Sequence, residues 1–226
     1  MSVHGEPPVL RVLPRGRHAA PREVVAESQR ERLLVAMADA TADKGYAHVA
    51  VADVIERAGV SRRSFYEHFA NKEECFLAAY DAGVGGLLEA IAEAEAGAGE
   101  GLLAAARAGT AVYLQILADN PAFARTFLIE VLGAGPEALA RRDAVHERFA
   151  RRLADGYRAI AGDLPEPPDY IFRAAVGAIH ELVTDRLLKQ GAETLPELLG
   201  PILEIELRLL SAAAPHAPDH PRQERA

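Results

Sequence analysis

The spacing of glycine and proline constrains this chain more tightly than any other feature. Breaks fall at Gly45, Gly59, Gly97 and Gly99, and at Pro121, Pro136, Pro165, Pro167, Pro168 and Pro196. The stretches between them have helix length. None carries the alternating Val, Ile and Thr of a credible strand. Alanine and leucine dominate, β-branched and aromatic residues are sparse, and Trp is absent, a balance that favours helix over strand. The expected fold class is all-α.

Within 24–44, Leu33, Leu34, Met37 and Thr41 recur at helical spacing and the pattern stops at Gly45. Residues 51–58 read as a short helix with Val51, Val54 and Ile55 inward, ended by Gly59. A second short helix follows at 62–69, with Phe65 and Phe69 four apart. Asn71 opens a longer helix to about Ala96. Further helices are predicted at 101–118, 121–132, 136–161, 168–189 and 195–212. Residues 1–22 hold Pro, Gly, His and four arginines against one glutamate without helical period, and read as a flexible basic arm. Residues 215–226 repeat Pro and His and read as a disordered tail.

The 226 residues carry a net charge of −8, which argues against a chain that coats nucleic acid uniformly. The distribution is uneven. Residues 1–80 hold eleven basic and eleven acidic side chains, so the rest carries the whole −8. The front can approach a polyanion; the back need not. The single Cys75 excludes an intrachain disulfide framework and a Cys-rich zinc site. No apolar run approaches the ~18 residues of a membrane span, and no signal core is visible, so a cytoplasmic protein with no membrane partner is expected. There is no Gly-rich phosphate loop and no G-x-S-x-G elbow. No His pair has zinc spacing; His146 and His180 are far apart in sequence. Neither enzyme activity nor a cofactor or metal is expected.

Residues 51–69 have helix-turn-helix spacing. Gly59 supplies a positive φ at the reversal, and Ser61 is a natural N-cap for the second helix. With Phe65 and Phe69 inward, Arg63 and Glu67 point outward, flanked by Ser64 and Tyr66. Arg62 and Arg63 occupy the first turn of that helix and Lys72 the first turn of the next, where cations are mildly unfavourable unless an anion is bound. Asn71 and Glu74 form a capping-box pattern that would hold Lys72 in place.

Residues 27–80 resemble the DNA-binding domain of TetR-type transcriptional regulators. The resemblance rests on Lys44-Gly45-Tyr46, on the run from Val51 to Ser61, on Ser64-Phe65-Tyr66-Glu67-His68-Phe69 and on Asn71-Lys72-Glu73-Glu74. It implies a DNA-binding domain over 23–80 with its motif at about 52–71, and a helical ligand-binding and dimerisation domain over 81–214. One departure is Ala50, where the family often caps the second helix with Ser or Thr. By this resemblance 62–69 is the recognition helix. Arg63 and Glu67 are the base-reading candidates, because Arg pairs with guanine and a carboxylate accepts from cytosine. Ser64, Tyr66, His68 and Lys72 would contact phosphates and set the register. Arg62 would do either, and His68 has a packing role as its second reading. Arg15 and Arg17 of the arm would enter a minor groove, or belong to a solvated tail.

The segments 168–189 and 195–212 are more broadly apolar than one core-facing stripe requires. Each is expected to have a second apolar face against another protomer, giving a homodimer matched to a palindromic double-stranded operator. Leu203 is a candidate for that outward face. Tyr113, Gln115, Glu130, Tyr157, His180 and Glu181 interrupt apolar stretches, and are the candidates to line a cavity for a small apolar effector. The implied function is a ligand-responsive regulator, a repressor that leaves its operator when the effector binds. The rival reading is a helical small-molecule-binding protein or enzyme whose helix-turn-helix is not used for specific DNA recognition.

Overall fold

A computed structural model describes residues 22–99, 101–161 and 166–212. The arm, with Arg15 and Arg17, and the tail 215–226 lie outside the described residues. Among these there are nine α-helices and no strand: α1 (Arg22–Lys44), α2 (Val51–Ala58), α3 (Arg62–His68), α4 (Lys72–Ala96), α5 (Leu102–Asp119), α6 (Pro121–Leu128), α7 (Pro136–Ala161), α8 (Asp169–Gln190) and α9 (Leu199–Ala212).

Local chemistry accounts for the ends of the first helices. Gly59 takes φ +61° after α2, the left-handed region that costs glycine least. Ser61 Oγ accepts from the Ser64 N–H at 3.0 Å and opens α3. Ala50 has no side-chain acceptor. The start of α2 is instead tied by Asp53, whose carboxylate accepts from the Ala50 N–H at 2.8 Å and pairs with Lys44 Nζ at 2.6 Å. Arg32 of α1 donates to the Ala58 carbonyl at 3.0 Å, satisfying an orphan acceptor at the end of α2. Leu33, Met37, Val54, Phe65, Phe69 and Phe76 close the core of the head formed by α1, α2, α3 and the first turns of α4.

Two predicted helices are interrupted. The segment 121–132 is α6 followed by a 3₁₀ turn at Glu130–Gly133. The segment 195–212 is a 3₁₀ stretch at Ala192–Leu198, with Pro196 inside it, and then α9. Proline lacks the N–H that an α-helical ladder needs there. Pro201 is tolerated because it sits in the first turn of α9, where N–H groups have no intrahelical partner.

α4 has the length and mean hydropathy of a membrane span, 1.4 over its most apolar window, contrary to the expectation that no segment would. Its apolarity serves the core: Cys75, Phe76, Tyr80, Val84, Leu87 and Ile91 are all buried. α4 crosses the expected boundary at 80/81 unbroken, and one buried cluster runs continuously from Leu33 to Ile202. α6 joins the head to the back. Thr126 Oγ1 donates to the Ala38 carbonyl of α1 at 3.3 Å, and Phe123 stacks on Phe127, which stacks on Tyr80.

The glycines of α4 are not alike. A Cβ on Gly83 would lie 2.4 Å from the Phe123 ring, whereas Gly85 and Gly86 have nothing within 4 Å. Gly83 therefore permits close approach of α6. Gly83→Ala is expected to destabilise the protein by about 1–3 kcal/mol through overpacking. Gly86→Ala should stabilise it by up to about 1 kcal/mol through helix propensity. Urea denaturation of the two variants checks the contrast.

Candidate functional site

α3 stands on the surface on a buried base. Phe65 is fully buried, and Phe69 nearly so, under Arg30. Arg62, Arg63, Tyr66 and Glu67 are exposed, and Ser64 and His68 half-buried. Arg63 Nε donates to Glu67 Oε1 at 2.9 Å, so the two outward candidates are paired with each other. Arg62 has no ion-pair partner among the described residues. Ser64 Oγ lies 3.0 Å from Ser61 Oγ, and the His68 ring packs beside Phe69.

Lys72 is not free. Its Nζ donates to the Tyr46 carbonyl at 2.9 Å and stands 4.2 Å from the centre of the Tyr46 ring. The capping pattern beside it holds in part. Asn71 Oδ1 accepts from the Glu74 N–H at 2.9 Å, but the Glu74 carboxylate reaches the Ala70 N–H rather than that of Asn71.

In the back, α4, α5, α7, α8 and α9 enclose a cavity of about 270 Å³, close to the lower end of small-molecule sites, about 300–1,000 Å³. Its walls are mainly apolar, with Ile91, Phe127, Phe149, Val176 and Ile179 among them. Of the six residues expected to line it, Tyr113 and His180 do. The other four lie elsewhere. Gln115 is exposed and bonds to Asp119 on its own helix. Glu130 lies at the junction with the head, accepting from the Tyr46 N–H at 2.9 Å and pairing with Arg125 at 3.3 Å. Tyr157 packs on Phe172 in a separate small cluster. Glu181 is exposed, because α8 turns it about 100° from its neighbour His180. Leu203, expected outward, is buried and lines the cavity.

His146 and His180, far apart in sequence, meet with ring centroids 4.8 Å apart, and both line the cavity. Burial holds both below the ordinary histidine value, His180 at about 4, and Arg142 adds to this. The pair is neutral at pH 7. Sequence reading missed Glu95, Arg152 and Glu206. Arg152 clamps Glu95 with two hydrogen bonds, one of them 3.0 Å from Nε. Glu206 is pushed up to about 7, first by burial and then by Glu95. Glu206 interrupts an apolar run as His180 does, and the same signal would have found it.

Residues 33–79 match the family model for bacterial regulatory proteins, tetR family. Over those residues the head is similar to the tetR-family regulators. The chain is 30% identical over 81 residues to the HTH-type transcriptional activator FasR of Mycolicibacterium smegmatis; the match spans 36% of this chain and 37% of that protein. The chain thus spans just over a third of the length of that curated relative. Solved structures share the fold over most of the chain. The fatty acid degradation regulator FadR of Bacillus halodurans superposes with TM-score 0.71 at 18% identity, covering 79% of this chain and 94% of that one. FadR of Bacillus subtilis, solved with stearoyl-CoA, gives 0.63 at 17%, covering 80% and 97%. A TetR-family regulator from Marinobacter aquaeolei gives 0.65 at 19%, covering 84% and 98%.

Glu206 makes stability pH-dependent. The folded chain holds its proton up to about pH 7, above the ordinary glutamate value. Its contribution is therefore complete below that ordinary value and is lost as pH rises through about 7. Glu206→Gln escapes the loss. The variant should gain about 1–3 kcal/mol on the wild type between pH 5 and pH 8, read by urea denaturation at the two pH values.

Proposed function

We propose that this chain is a cytoplasmic, homodimeric transcriptional regulator that reads a palindromic operator through α3 and leaves it when a small apolar molecule fills the back cavity. The observation that carries this reading is the continuity of α4. The helix starts four residues after α3 ends and forms the cavity wall at Ile91 and Glu95. Two recognition helices fill successive major grooves only at a separation near ~34 Å, so a tilt of α4 at its far end changes whether the dimer fits DNA. The B. subtilis FadR of similar fold is solved with stearoyl-CoA, which supports an effector with a long apolar part. We assign the repressor sign to release: a protein that leaves DNA on effector binding frees the promoter it covered.

Arg63 and Glu67 read bases, once their mutual pair opens. Ser64, Tyr66 and His68 contact phosphates, as does Lys72 after leaving Tyr46, and Arg62 serves either bases or phosphates. Arg63→Ala should cost roughly 1–3 kcal/mol on the best operator and relax preference at one base pair per half-site. Lys72→Ala should weaken all sequences about equally and lower the salt slope. Selection of bound sequences from random DNA, followed by salt titrations of both variants, separates these outcomes.

The dimer face is the outer stripe of α8. Tyr170, Ala174, Gly177, Glu181 and Leu188 are exposed there and share one side of the helix. Gly177 has nothing within 4 Å, so a side chain added there meets nothing of its own chain. Gly177→Glu should yield a folded monomer by sedimentation where the wild type is a dimer.

Effector and operator must weaken each other by the same factor, typically 5–150-fold. Ligands found by thermal shift should therefore compete with operator in a binding titration, and raise expression of an operator-controlled reporter. If cavity ligands leave operator affinity unchanged, the switch is refuted. A fall in reporter signal would assign activation instead, the role in the name of FasR.

A further inference from the structure

The polar groups of the cavity are sorted by helix direction. α4 runs away from the head. α5 returns antiparallel, bringing Gly109 against Glu95. α7 runs beside α4, with Arg141 on Asp81 at one level and Arg152 on Glu95 further along. α8 returns antiparallel to α7, placing His180 on His146 and Phe172 on Tyr157. The end of the cavity near the head therefore carries Tyr113, His146 and His180, and the far end carries Glu95, Arg152 and Glu206. Ten residues of α5 separate Leu103 at the far end from Tyr113, about 15 Å along the helix. Leu103 and Leu207, both lining the far end, are more than half exposed and form its apolar rim.

The charges at the two ends differ. Both histidines at the near end are held below their ordinary value, and burial keeps the Tyr113 phenol protonated. Arg142 acts on both histidines but is not part of the lining. Tyr113 lines the space and makes no hydrogen bond through its hydroxyl among the described residues. At the far end Arg152 is engaged by both oxygens of Glu95. Glu206 has no cation beside it among the described residues. With Glu206 ionised, the lining holds two carboxylates against one guanidinium.

We infer that the effector is a cationic amphiphile, whose ammonium group pairs with Glu206 at the far end and whose apolar chain runs along the cavity toward Tyr113 and His180. This rests on the cavity being the effector site. An ammonium supplies the partner that a desolvated carboxylate lacks. A carboxylate or phosphate head would meet Glu206 and Glu95 at the far end, where the one guanidinium, Arg152, is already engaged by Glu95, and only neutral groups at the other, losing hydration without a free counter-charge. The match to Glu206 also links binding to pH. Near pH 7 the empty cavity holds a proton on Glu206, and the ammonium displaces it.

The test is isothermal titration of the full dimeric chain with dodecylammonium, dodecanol and dodecanoate at pH 6 and pH 8. At pH 8 dodecylammonium should bind about tenfold tighter than dodecanol, the ratio that ~1.4 kcal/mol produces, and dodecanoate weakest. The ammonium advantage should shrink at pH 6. Titrations in two buffers of different ionisation enthalpy should show proton release near pH 7. Glu206→Gln should remove the ammonium preference while keeping dodecanol affinity. The inference is overturned if dodecanoate binds as tightly as the ammonium, or if the preference survives in Glu206→Gln, the signature of adsorption to an acidic surface. Binding of dodecanol without charge preference would leave the cavity reading standing and sink only the cationic head. If none of the three binds, both fall.

Discussion

α4 buries its two ends in two different surroundings. Its first turns pack Cys75 and Phe76 beneath the head, with the Tyr46 ring 4.7 Å from Phe76. Its later turns pack Leu87 against the back and offer Ile91 and Glu95 to the cavity. Between them Gly83 lets Phe123 seat on the helix, so α6 is fixed at the level where head meets back. A helix of this length is about 38 Å long, and its hydrogen-bond ladder runs unbroken from the head to the cavity. The burial is tight enough to silence Cys75, whose thiol is pushed up to about 12.

A second tie reinforces the first. The turn at Tyr46 is held from both sides: Glu130 accepts from its N–H, and Lys72 donates to its carbonyl. Glu130 follows α6, and α6 supplies Phe127 to the cavity wall. Lys72 opens α4. The same backbone turn is thus held by one side chain from the back and one from the helix that supports α3. α6 is therefore tied to the head through these hydrogen bonds as well as through its packing on α4.

The exposed face of α3, by contrast, is held lightly. The Arg63–Glu67 pair is largely solvated, with 89% and 55% of its side chains exposed, and such pairs contribute little to stability. Opening it costs little. The carboxylate of Glu206 is in the opposite position. It is poorly hydrated and close to Glu95, so its protonation is coupled to whatever enters the cavity.

The local features were legible in the sequence because their causes lie within one or two turns. Gly59 after α2, Ser61 capping α3 and the inward pair Phe65 and Phe69 follow from φ preference, a short side-chain acceptor and a spacing of four. The polar lining was half legible. A polar residue in an apolar run signals an unusual environment, and Tyr113 and His180 meet that condition and reach the cavity. Glu130 and Glu181 meet it as well, yet one clasps the head and the other faces outward, because burial depends on which helix lies alongside. Likewise no spacing rule pairs His146 with His180, or Arg152 with Glu95. The sequence by itself determined an all-α chain whose first helices resemble a TetR-type head. The tertiary structure decided the packing between cavity and head and the charge inside the cavity, since antiparallel helices bring together side chains that the chain keeps tens of residues apart.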